Sequence, residues 1–506
     1  MDADVIIIGS GAGGGTLARA LADSGLNILI LEQGDYLPRE WGNWDPRTVF
    51  AEHRYHTREQ WRDQQGKNFS PVTGYHVGGN TKFYGAAVLR RREKDFQVRH
   101  HQDGDTRAWP IRYANLAPFY DQAEAWYFTH GQAGTDPTDP PRGAYPFPPF
   151  PHGEDVALVD TALRGMGLHP FPLPLALHRL DDDPEHSPCV RCPTCDGFPC
   201  MLHAKGDAEV CGIRPALEHS NVRLLTGHRV RRFVHSTDGK RVEAVKTDQG
   251  RFSAKLVVLA AGAVNSAALL LASVSEQYPG GLANRSDQVG RNYMCHLNSA
   301  CMALKPGREN RTVFQKTLAL NDFYEDSGDP DYPYPLGHIQ SLGKVTPGVL
   351  HAQQSLLPIP ASAWAASHSV DWWLTTEDLP DPGNRVTLDD DATIRLTWNP
   401  KNRESHQRLC AQWRRILHQA GFPMVFFQSM DISATAHQVG TCRFGEDPAD
   451  SVLDPWCKAH DLDNLYVVDA SFMPSISAVN PSLTIMANAI RVAAHLVERF
   501  KTGAQA

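Results

Sequence analysis

A glycine-rich segment between two apolar strands constrains this chain more than any other feature of the sequence. Residues 9–15 read GSGAGGG; they follow the apolar run Val5–Ile8 and precede a helical pattern over Leu17–Leu21. A second apolar run follows at Ile28–Leu31. Two apolar strands with a helix between them form a right-handed βαβ unit. The sequence therefore predicts an α/β fold with a parallel sheet.

The spacing of these glycines is typical of dinucleotide binding. Gly9, Gly11 and Gly14 fit the pattern G-x-G-x-x-G, which allows a tight turn, close approach of a pyrophosphate and close packing of helix on strand. The helix N-terminus adds free N–H groups and a positive dipole end. Glu32 stands 18 residues after Gly14, where its carboxylate can accept hydrogen bonds from ribose hydroxyls. These features bind an adenosine diphosphate group and do not by themselves separate FAD from NAD. A flavin reductase that also binds NAD would usually carry a second such glycine motif; the chain has none, so the simplest interpretation is one FAD and no nicotinamide site.

Composition and charge exclude several classes of protein. The 506 residues are 42% hydrophobic, a globular balance that can bury a large core without disulfides. The 49 basic and 57 acidic residues give a net charge of −8, so no nucleic-acid-binding surface is expected.

One uncharged stretch, residues 256–274, has nearly the length of a membrane-spanning helix, but Gly262 divides it into a strand and a helix. With no signal peptide evident, a cytoplasmic protein is predicted.

Further motifs are spread over the whole chain. They are GYHVGGNTKFYGAAVLR at 74–90, WPIRYANLAPFYDQAEA at 109–125, VVLAAGAVNSAALLL at 257–271, VGRNYMCH at 289–296, LPDPGNRVTL at 379–388, HQVGTCRFG at 437–445 and NLYVVDASFMPSISAVNPSLTI at 464–485. Taken in this order with the fingerprint, they resemble the glucose–methanol–choline (GMC) oxidoreductases, which are FAD-dependent alcohol and sugar oxidases and dehydrogenases. The resemblance covers nearly the whole length.

The resemblance implies an α+β architecture overall, with two interleaved domains. A Rossmann-like FAD-binding domain would comprise residues 1–95, 205–295 and 430–506. A substrate-binding domain, built on an antiparallel sheet with helices, would comprise residues 96–204 and 296–429. Within the substrate-binding domain, the proline-rich segment 134–151 is predicted to be an extended linker or a surface lid, since proline excludes helix and central strand.

The resemblance also implies a catalytic pair. In the family, a histidine in an H-x-x-G-T motif and a His or Asn 43 residues later face the reactive edge of the flavin, and His437 and Asn480 occupy these positions. Alcohol oxidation needs a proton acceptor while the flavin takes a hydride, and a neutral histidine suits that task. Asn480 would position the substrate oxygen. The alternatives are a buried structural His437 and an Asn480 that caps a helix starting at Pro481.

Residues near the flavin ring are also predicted. In the segment VGGNTKFYG, Gly79 allows close approach to the ring and Asn80 offers a polar contact. Family members with covalently attached FAD carry a histidine at the position that Phe83 occupies here. We therefore expect noncovalent FAD.

Four more positions are predicted to contact the cofactor. Ala261 lies in the motif 257–271, and Asp469 ends the strand predicted at Leu465–Val468. Asp469 is expected near the ribityl or pyrophosphate part, with an ordinary turn residue as the alternative. Pro481 and Ser482 would begin a helix whose positive end faces the flavin.

A cysteine-rich loop spans residues 189–200. Its cysteines, Cys189, Cys192, Cys195 and Cys200, have the spacing C-x-x-C-x-x-C followed by four residues and the last cysteine. Thiolates at such spacing can converge on one metal ion or iron–sulfur cluster, and some dehydrogenases of the family carry a cluster in a comparable insert. Zinc, two disulfides and free thiols are the alternatives, with disulfides less favoured in a chain without a leader.

We therefore expect FAD-dependent oxidation of a CH–OH group in a sugar, glycoside or other polyol. The partners would be that small molecule and an electron acceptor, which is oxygen, a quinone or a redox protein. The alternatives are a sterol or aryl-alcohol oxidase, and an iron–sulfur or other metal-dependent electron-transfer protein with a vestigial flavin site. Trp364, Trp372 and Trp373 either stack on a sugar face or are ordinary core or surface aromatics.

Overall fold

The N-terminal βαβ unit forms where the sequence predicts it. The structure is a computed structural model that describes residues 2–180, 182–354, 356–434 and 436–502. The unit consists of the strand Ala3–Ile8, the helix Ala12–Leu21 and the strand Ile28–Leu31. The two strands are parallel, with Val5 opposite Ile28. Their apolar side chains are buried, which explains why these short runs became central strands.

This unit is the centre of a five-stranded parallel sheet. The strands follow one another across the sheet in the order Val222–Leu225, Ile28–Leu31, Ala3–Ile8, Ala254–Leu259 and Leu465–Val467. All four neighbouring pairs are parallel. The predicted Rossmann-like α/β fold is therefore confirmed, with strands drawn from both ends of the chain.

Helices cover this sheet. The first helix, Ala12–Leu21, packs against the C-terminal helix Ser482–Lys501. The uncharged stretch 256–274 divides as predicted, because the strand Ala254–Leu259 is followed by the helix Ala263–Ala272. None of the helices in the described residues has the length and apolar character that crossing a membrane requires. The other α-helices are Tyr113–Trp126, Glu154–Gly165, Arg214–Leu217, Pro347–Gln353, Ile359–His368 and Arg403–Gln419.

A second sheet is antiparallel and has six strands. Their order is Met424–Ser429, Leu297–Leu304, Ser369–Thr376, His338–Ser341, Leu318–Leu320 and Phe171–Pro172. The helix Arg403–Gln419 packs on this sheet and places Trp413 against Trp372, with ring centroids 4.8 Å apart. Trp372 is only 1% exposed, so the suggestion that it stacks on a sugar is wrong: it is a core residue. Trp373 is half-buried and Trp364 is exposed.

Smaller sheets complete the chain. One is a three-stranded meander of Val230–His235, Val242–Thr247 and Gly250–Phe252. Another has four strands, in the order Arg385–Leu388, Ile394–Thr397, Trp61–Arg62 and Asn68–Phe69. Three further sheets have two strands each: Met294–Cys295 with Gln438–Val439, His100–His101 with Gly104–Asp105, and Thr129–His130 with Leu175–Ala176. The proline-rich segment 134–151 contains no helix and only a single bridge at Phe147. Arg142 fastens this segment by donating to Glu124 of the neighbouring helix at 2.9 and 2.7 Å.

Candidate active site

The turn at residues 9–14, which carries the G-x-G-x-x-G fingerprint and is called the fingerprint turn below, requires glycine for two different reasons. Gly9 has a φ of +96°, a conformation that L side chains rarely adopt, and a Cβ at Gly14 would collide with the carbonyl oxygen of Gly9. Gly11 is different, because a Cβ there would meet nothing closer than the Cα of Gly79, 3.9 Å away. Gly11 therefore borders open space, as the approach of a pyrophosphate requires.

The helix that follows begins in a way that suits an anion. Gly11 is its N-cap, no side chain caps it, and its first turn contains no acidic residue. The first N–H groups of a helix have no partner within the helix, so they and the dipole remain available to a phosphate. With the open space at Gly11, the residues present fit the diphosphate of a dinucleotide.

Glu32 holds this turn in place. It is buried at the end of the second strand and accepts hydrogen bonds from the N–H and hydroxyl of Ser10 at 2.9 and 2.6 Å, and from the N–H of Gly34 at 3.0 Å. The hydroxyl of Ser10 in turn accepts a bond from the N–H of Gly78 at 3.1 Å. The sequence analysis assigned no role to Ser10, although it stands between two fingerprint glycines. A carboxylate has about four acceptor positions, so Glu32 keeps capacity for a ribose hydroxyl.

The segment Gly78–Asn80, which was predicted to lie near the flavin ring, lies beside the fingerprint turn. Gly79 has a φ of +55°, and a Cβ there would stand 3.1 Å from the Cα of Gly11. Asn80 is exposed, and its Oδ1 accepts a bond from the N–H of Gly74 at 3.0 Å. Phe83, at the position of the covalent histidine, packs edge-on against His56 with centroids 5.6 Å apart. Because Phe83 has no nucleophilic nitrogen, it cannot form the bond to flavin.

Asp469 connects two loops that follow neighbouring parallel strands. It follows the strand Leu465–Val467, and its Oδ2 accepts bonds from the N–H of Gly262 at 3.0 Å and from the hydroxyl of Ser266. Burial raises the pKa of Asp469. Gly262 is next to Ala261, so both predicted positions lie at the carboxyl ends of parallel strands, as Gly9 and Glu32 do. Ligands of open α/β sheets bind at that edge.

His437 meets a second histidine that sequence analysis missed. The strand Gln438–Val439 pairs with Met294–Cys295, and this places His296 beside His437. The two Nδ1 atoms are 2.8 Å apart, and the rings cross at 89°. His296 is 1% exposed, and its Nε2 lies 2.7 Å from the carbonyl oxygen of Ser477. The motif VGRNYMCH contains His296, but nothing in its spacing indicated this contact.

Electrostatics keep both rings neutral. Burial and, secondarily, the nearby Lys316 lower the pKa of His437 to about 4. Burial, followed by the neighbouring His437, lowers the pKa of His296 well below its usual value. At neutral pH His437 is therefore an uncharged imidazole that can accept a proton.

The segment that carries Asn480 is held from the antiparallel sheet. Ser477 has a φ of +57°, and its N–H donates to Oε1 of Glu377 at 2.6 Å. Glu377 directly follows the strand Ser369–Thr376. In the described parts of the chain no hydrogen bond joins His437 to Asn480; the structure brings their two segments together through His296 and Ser477.

The predicted cap of the C-terminal helix is wrong by one residue. The helix begins at Ser482, its N-cap is Pro481, and no side chain caps it. The reason is that the carbonyl of Pro481 accepts the first helical bond, from the N–H of Ile485 at 3.1 Å. Asn480 therefore precedes the cap, and its half-buried side chain is left for another role.

Lys316 and Asp196 were also missed by sequence analysis. Lys316 is 2% exposed and forms an ion pair with Asp196, whose other oxygen accepts a bond from the N–H of Gly343 at 2.5 Å. A Cβ at Gly85 would collide with both partners of this pair. Asp196 belongs to the cysteine-rich loop, so that loop holds the cation that acts electrostatically on His437.

The predicted metal ligands share one small cavity. Cys189, Cys192, Cys195 and Cys200 all line a space of about 20 Å³, and none of the chain's ten cysteines forms a disulfide. Burial raises the pKa of Cys189 to about 11 and that of Cys195 to about 12, so both are neutral thiols in the metal-free loop. Among the described residues no group of three or more histidines, cysteines or acids is placed to hold a metal ion. A cavity of this size holds about one water and is too small for an iron–sulfur cluster, so the thiols as folded do not fit the predicted metal or cluster.

The fold and the site define an FAD-dependent oxidoreductase that acts on CH–OH groups. Residues 4–38 match a model described as an FAD binding domain, and residues 173–298 and 380–489 match the N- and C-terminal models of GMC oxidoreductase.

Two relatives and one solved structure agree with these matches. The chain is 32% identical to 6'''-hydroxyparomomycin C oxidase of Streptomyces lividus, over 97% of this chain and 92% of that one. It is also 32% identical to paromamine 6'-oxidase of Streptomyces fradiae, over 98% and 92%. The chain belongs to the GMC oxidoreductase family. The crystal structure of pyridoxine 4-oxidase from Mesorbium loti has the same fold, with a TM-score of 0.68, 20% identity, and coverage of 97% of this chain and 98% of that one.

Proposed function

We propose that this enzyme oxidises a hydroxyl group of a sugar or glycoside, with His437 as the general base. The observation that carries the proposal is the neutral His437 held by His296 at 2.8 Å between their Nδ1 atoms. The two relatives from Streptomyces, a hydroxyparomomycin C oxidase and a paromamine oxidase, support a hydroxyl-bearing glycoside substrate.

In this proposal each side chain has one task. Bound FAD supplies the hydride acceptor. His437 takes the hydroxyl proton, and Asn480 donates to the substrate oxygen and so orients the carbon. Gly9, Gly11 and Gly14 would hold the diphosphate, and Glu32 would accept from the ribose. The remaining proposed cofactor contacts are Gly79, Asn80, Ala261, Asp469, Pro481 and Ser482.

The first test is His437→Ala. The variant should retain FAD, because His437 contacts no fingerprint residue, but anaerobic flavin reduction by a substrate alcohol should slow by on the order of 100-fold or more. Stopped-flow absorbance of the flavin measures the rate. His186→Ala is the matched control, since that histidine side chain is 79% exposed and pairs with Asp183. A reduction rate equal in wild type and His437→Ala would remove His437 from the mechanism.

For the electron acceptor we propose oxygen, because both Streptomyces relatives are named oxidases. The experiment is to reduce the enzyme with substrate and then add air or a quinone in parallel. Oxygen should restore the oxidised flavin spectrum and yield hydrogen peroxide. Reoxidation by the quinone alone would assign the enzyme to the dehydrogenases.

For the cysteine-rich loop we propose reduced thiols that take no part in the reaction. The small shared cavity supports this over the zinc or iron–sulfur cluster that the spacing predicted, and so does the lack of a metal-ligand group among the described residues. Metal and sulfide analysis of the purified protein is the test, with Cys192→Ser as the comparison. Stoichiometric iron or zinc that disappears in Cys192→Ser would restore the predicted site.

We also propose the predicted cytoplasmic location and the predicted division into two domains. None of the ten cysteines forms a disulfide and none is exposed, which supports a cytoplasmic location, where thiols stay reduced. The division into domains is supported by the sheets. All five parallel strands lie within residues 1–95, 205–295 and 430–506, and all six strands of the large antiparallel sheet lie within 96–204 and 296–429.

A further inference from the structure

We infer that His296 is a positioning residue that determines which ring nitrogen of His437 carries the proton. The inference rests on the proposed function, because it concerns the histidine assigned there as the base. It follows from two hydrogen bonds in sequence: His296 donates to the carbonyl oxygen of Ser477, and His437 donates to His296.

The first bond sets the proton of His296. Its Nε2 lies 2.7 Å from the carbonyl oxygen of Ser477, and a carbonyl oxygen can only accept. Nε2 of His296 must therefore carry a proton. Since burial lowers the pKa of His296 well below its usual value, the ring is neutral and holds one proton only. Its Nδ1 is then a lone-pair acceptor.

The second bond sets the proton of His437. Its Nδ1 lies 2.8 Å from Nδ1 of His296, which is already an acceptor, so Nδ1 of His437 must donate. The neutral ring of His437 has no second proton. Its Nε2 therefore carries the lone pair and is the only ring atom of His437 that can take a proton from a substrate.

The backbone fixes this arrangement. Ser477 has a φ of +57°, and the bond from its N–H to Glu377 at 2.6 Å keeps its carbonyl turned toward His296. The strand pairing of Met294–Cys295 with Gln438–Val439 fixes the distance between the two rings. Without His296, either nitrogen of His437 could hold the proton, and only one of the two tautomers is a base at Nε2.

The test compares His296→Leu with His296→Gln. Glutamine carries an acceptor and a donor on one amide, so it can accept from His437 and donate to Ser477, whereas leucine can do neither. His296→Leu should bind FAD and slow anaerobic flavin reduction by about 10- to 100-fold, and His296→Gln should recover most of that loss. Equal losses in both variants would overturn the inference and show that His296 only packs.

A second readout does not depend on activity. ¹⁵N NMR of histidine-labelled, FAD-loaded enzyme distinguishes a protonated Nδ1 from a protonated Nε2, and the signals absent from His437→Ala belong to His437. The wild type should show protonated Nδ1 and unprotonated Nε2. The opposite tautomer would refute the inference even if the enzyme is active. If no alcohol bleaches the wild-type flavin, the proposed function fails, but this spectrum still decides the tautomer.

Discussion

At His437, burial and a nearby cation act on protonation in the same direction. Burial lowers the pKa of the ring to about 4 and Lys316 contributes to that shift, while His296 faces it as a neutral acceptor. The base form therefore exists at all pH values above the lowered pKa. This differs from an exposed histidine, which is largely protonated below about pH 6.5.

We predict that the rate constant of flavin reduction is independent of pH from about pH 8 down to about pH 5 and falls at lower pH. The sign follows from the lowered pKa of His437, because acid removes the base form only as the pH passes through about 4. Anaerobic stopped-flow measurements across this range provide the check. An acid limb centred near the ordinary histidine value would contradict it.

Lys316→Met tests how much the cation contributes to the lowered pKa of His437. Removing the cation should raise the pKa of His437 and move the acid limb to higher pH, while burial, the larger cause, keeps it below the ordinary value. Lys316→Arg retains the charge beside Asp196 and is the matched control. An unshifted limb in Lys316→Met would show that the cation does not act on His437.

The residues of the site differ in how far the sequence reveals them. Gly9, Gly11, Gly14 and Glu32 follow a local spacing that has a direct physical meaning. His296 follows no such rule. It stands 141 residues from His437, and the strands that join them are two residues long, too short to leave a periodic pattern.

At the scale of elements, two glycines of the turn at residues 9–14 serve different purposes: Gly14 is needed for folding, and Gly11 is proposed to admit the cofactor. We predict that Gly11→Ala folds normally but loses FAD affinity, because its Cβ enters the open space proposed for the pyrophosphate. Gly14→Ala should instead lower the free energy of unfolding even without FAD, since its Cβ collides with the carbonyl of Gly9. Chemical denaturation and FAD titration of both variants measure the two quantities.

Gly165→Ala is the control for this pair, because it ends a helix and a Cβ there meets nothing within 4 Å. It should leave FAD binding unchanged and the unfolding free energy unchanged or slightly higher. If Gly11→Ala binds FAD as tightly as wild type, the pyrophosphate does not approach Gly11.

Elements with a strong apolar pattern were predictable and short ones were not. The strands Ala3–Ile8 and Ile28–Leu31 and the C-terminal helix lie within a few residues of their predicted bounds. The edge strand Phe171–Pro172 has two residues and contains a proline, so no pattern marked it. The cap of the C-terminal helix was misplaced because a carbonyl, which every residue has, decides it.

At the scale of the whole molecule, a buried polar network joins the antiparallel sheet to the segment before Asn480. Glu377 accepts from the N–H of Ser477 at 2.6 Å, and its other oxygen lies 3.4 Å from Nε2 of His101. Arg99, also buried, lies 3.9 Å from the same oxygen. The antiparallel sheet thus anchors the backbone of the proposed catalytic segment.

We predict that Glu377→Ala lowers the free energy of unfolding by about 3–5 kcal/mol, because it leaves buried polar partners without an acceptor. It should also slow flavin reduction, since Ser477 loses its anchor. Glu377→Gln retains an oxygen for Ser477 and should lose less activity than Glu377→Ala. Urea unfolding and stopped-flow reduction are the measurements, and equal activity losses in the two variants would contradict the anchoring role.

The edge strand Leu465–Val467 has a consequence for biosynthesis. This strand, Asp469 and the helix that packs on Ala12–Leu21 all leave the ribosome after the rest of the parallel sheet. A nascent chain therefore exposes one flank of the strand Ala254–Leu259 until translation reaches residue 465. We expect flavin incorporation to wait for that moment, because Asp469 and the C-terminal helix join the sheet only then.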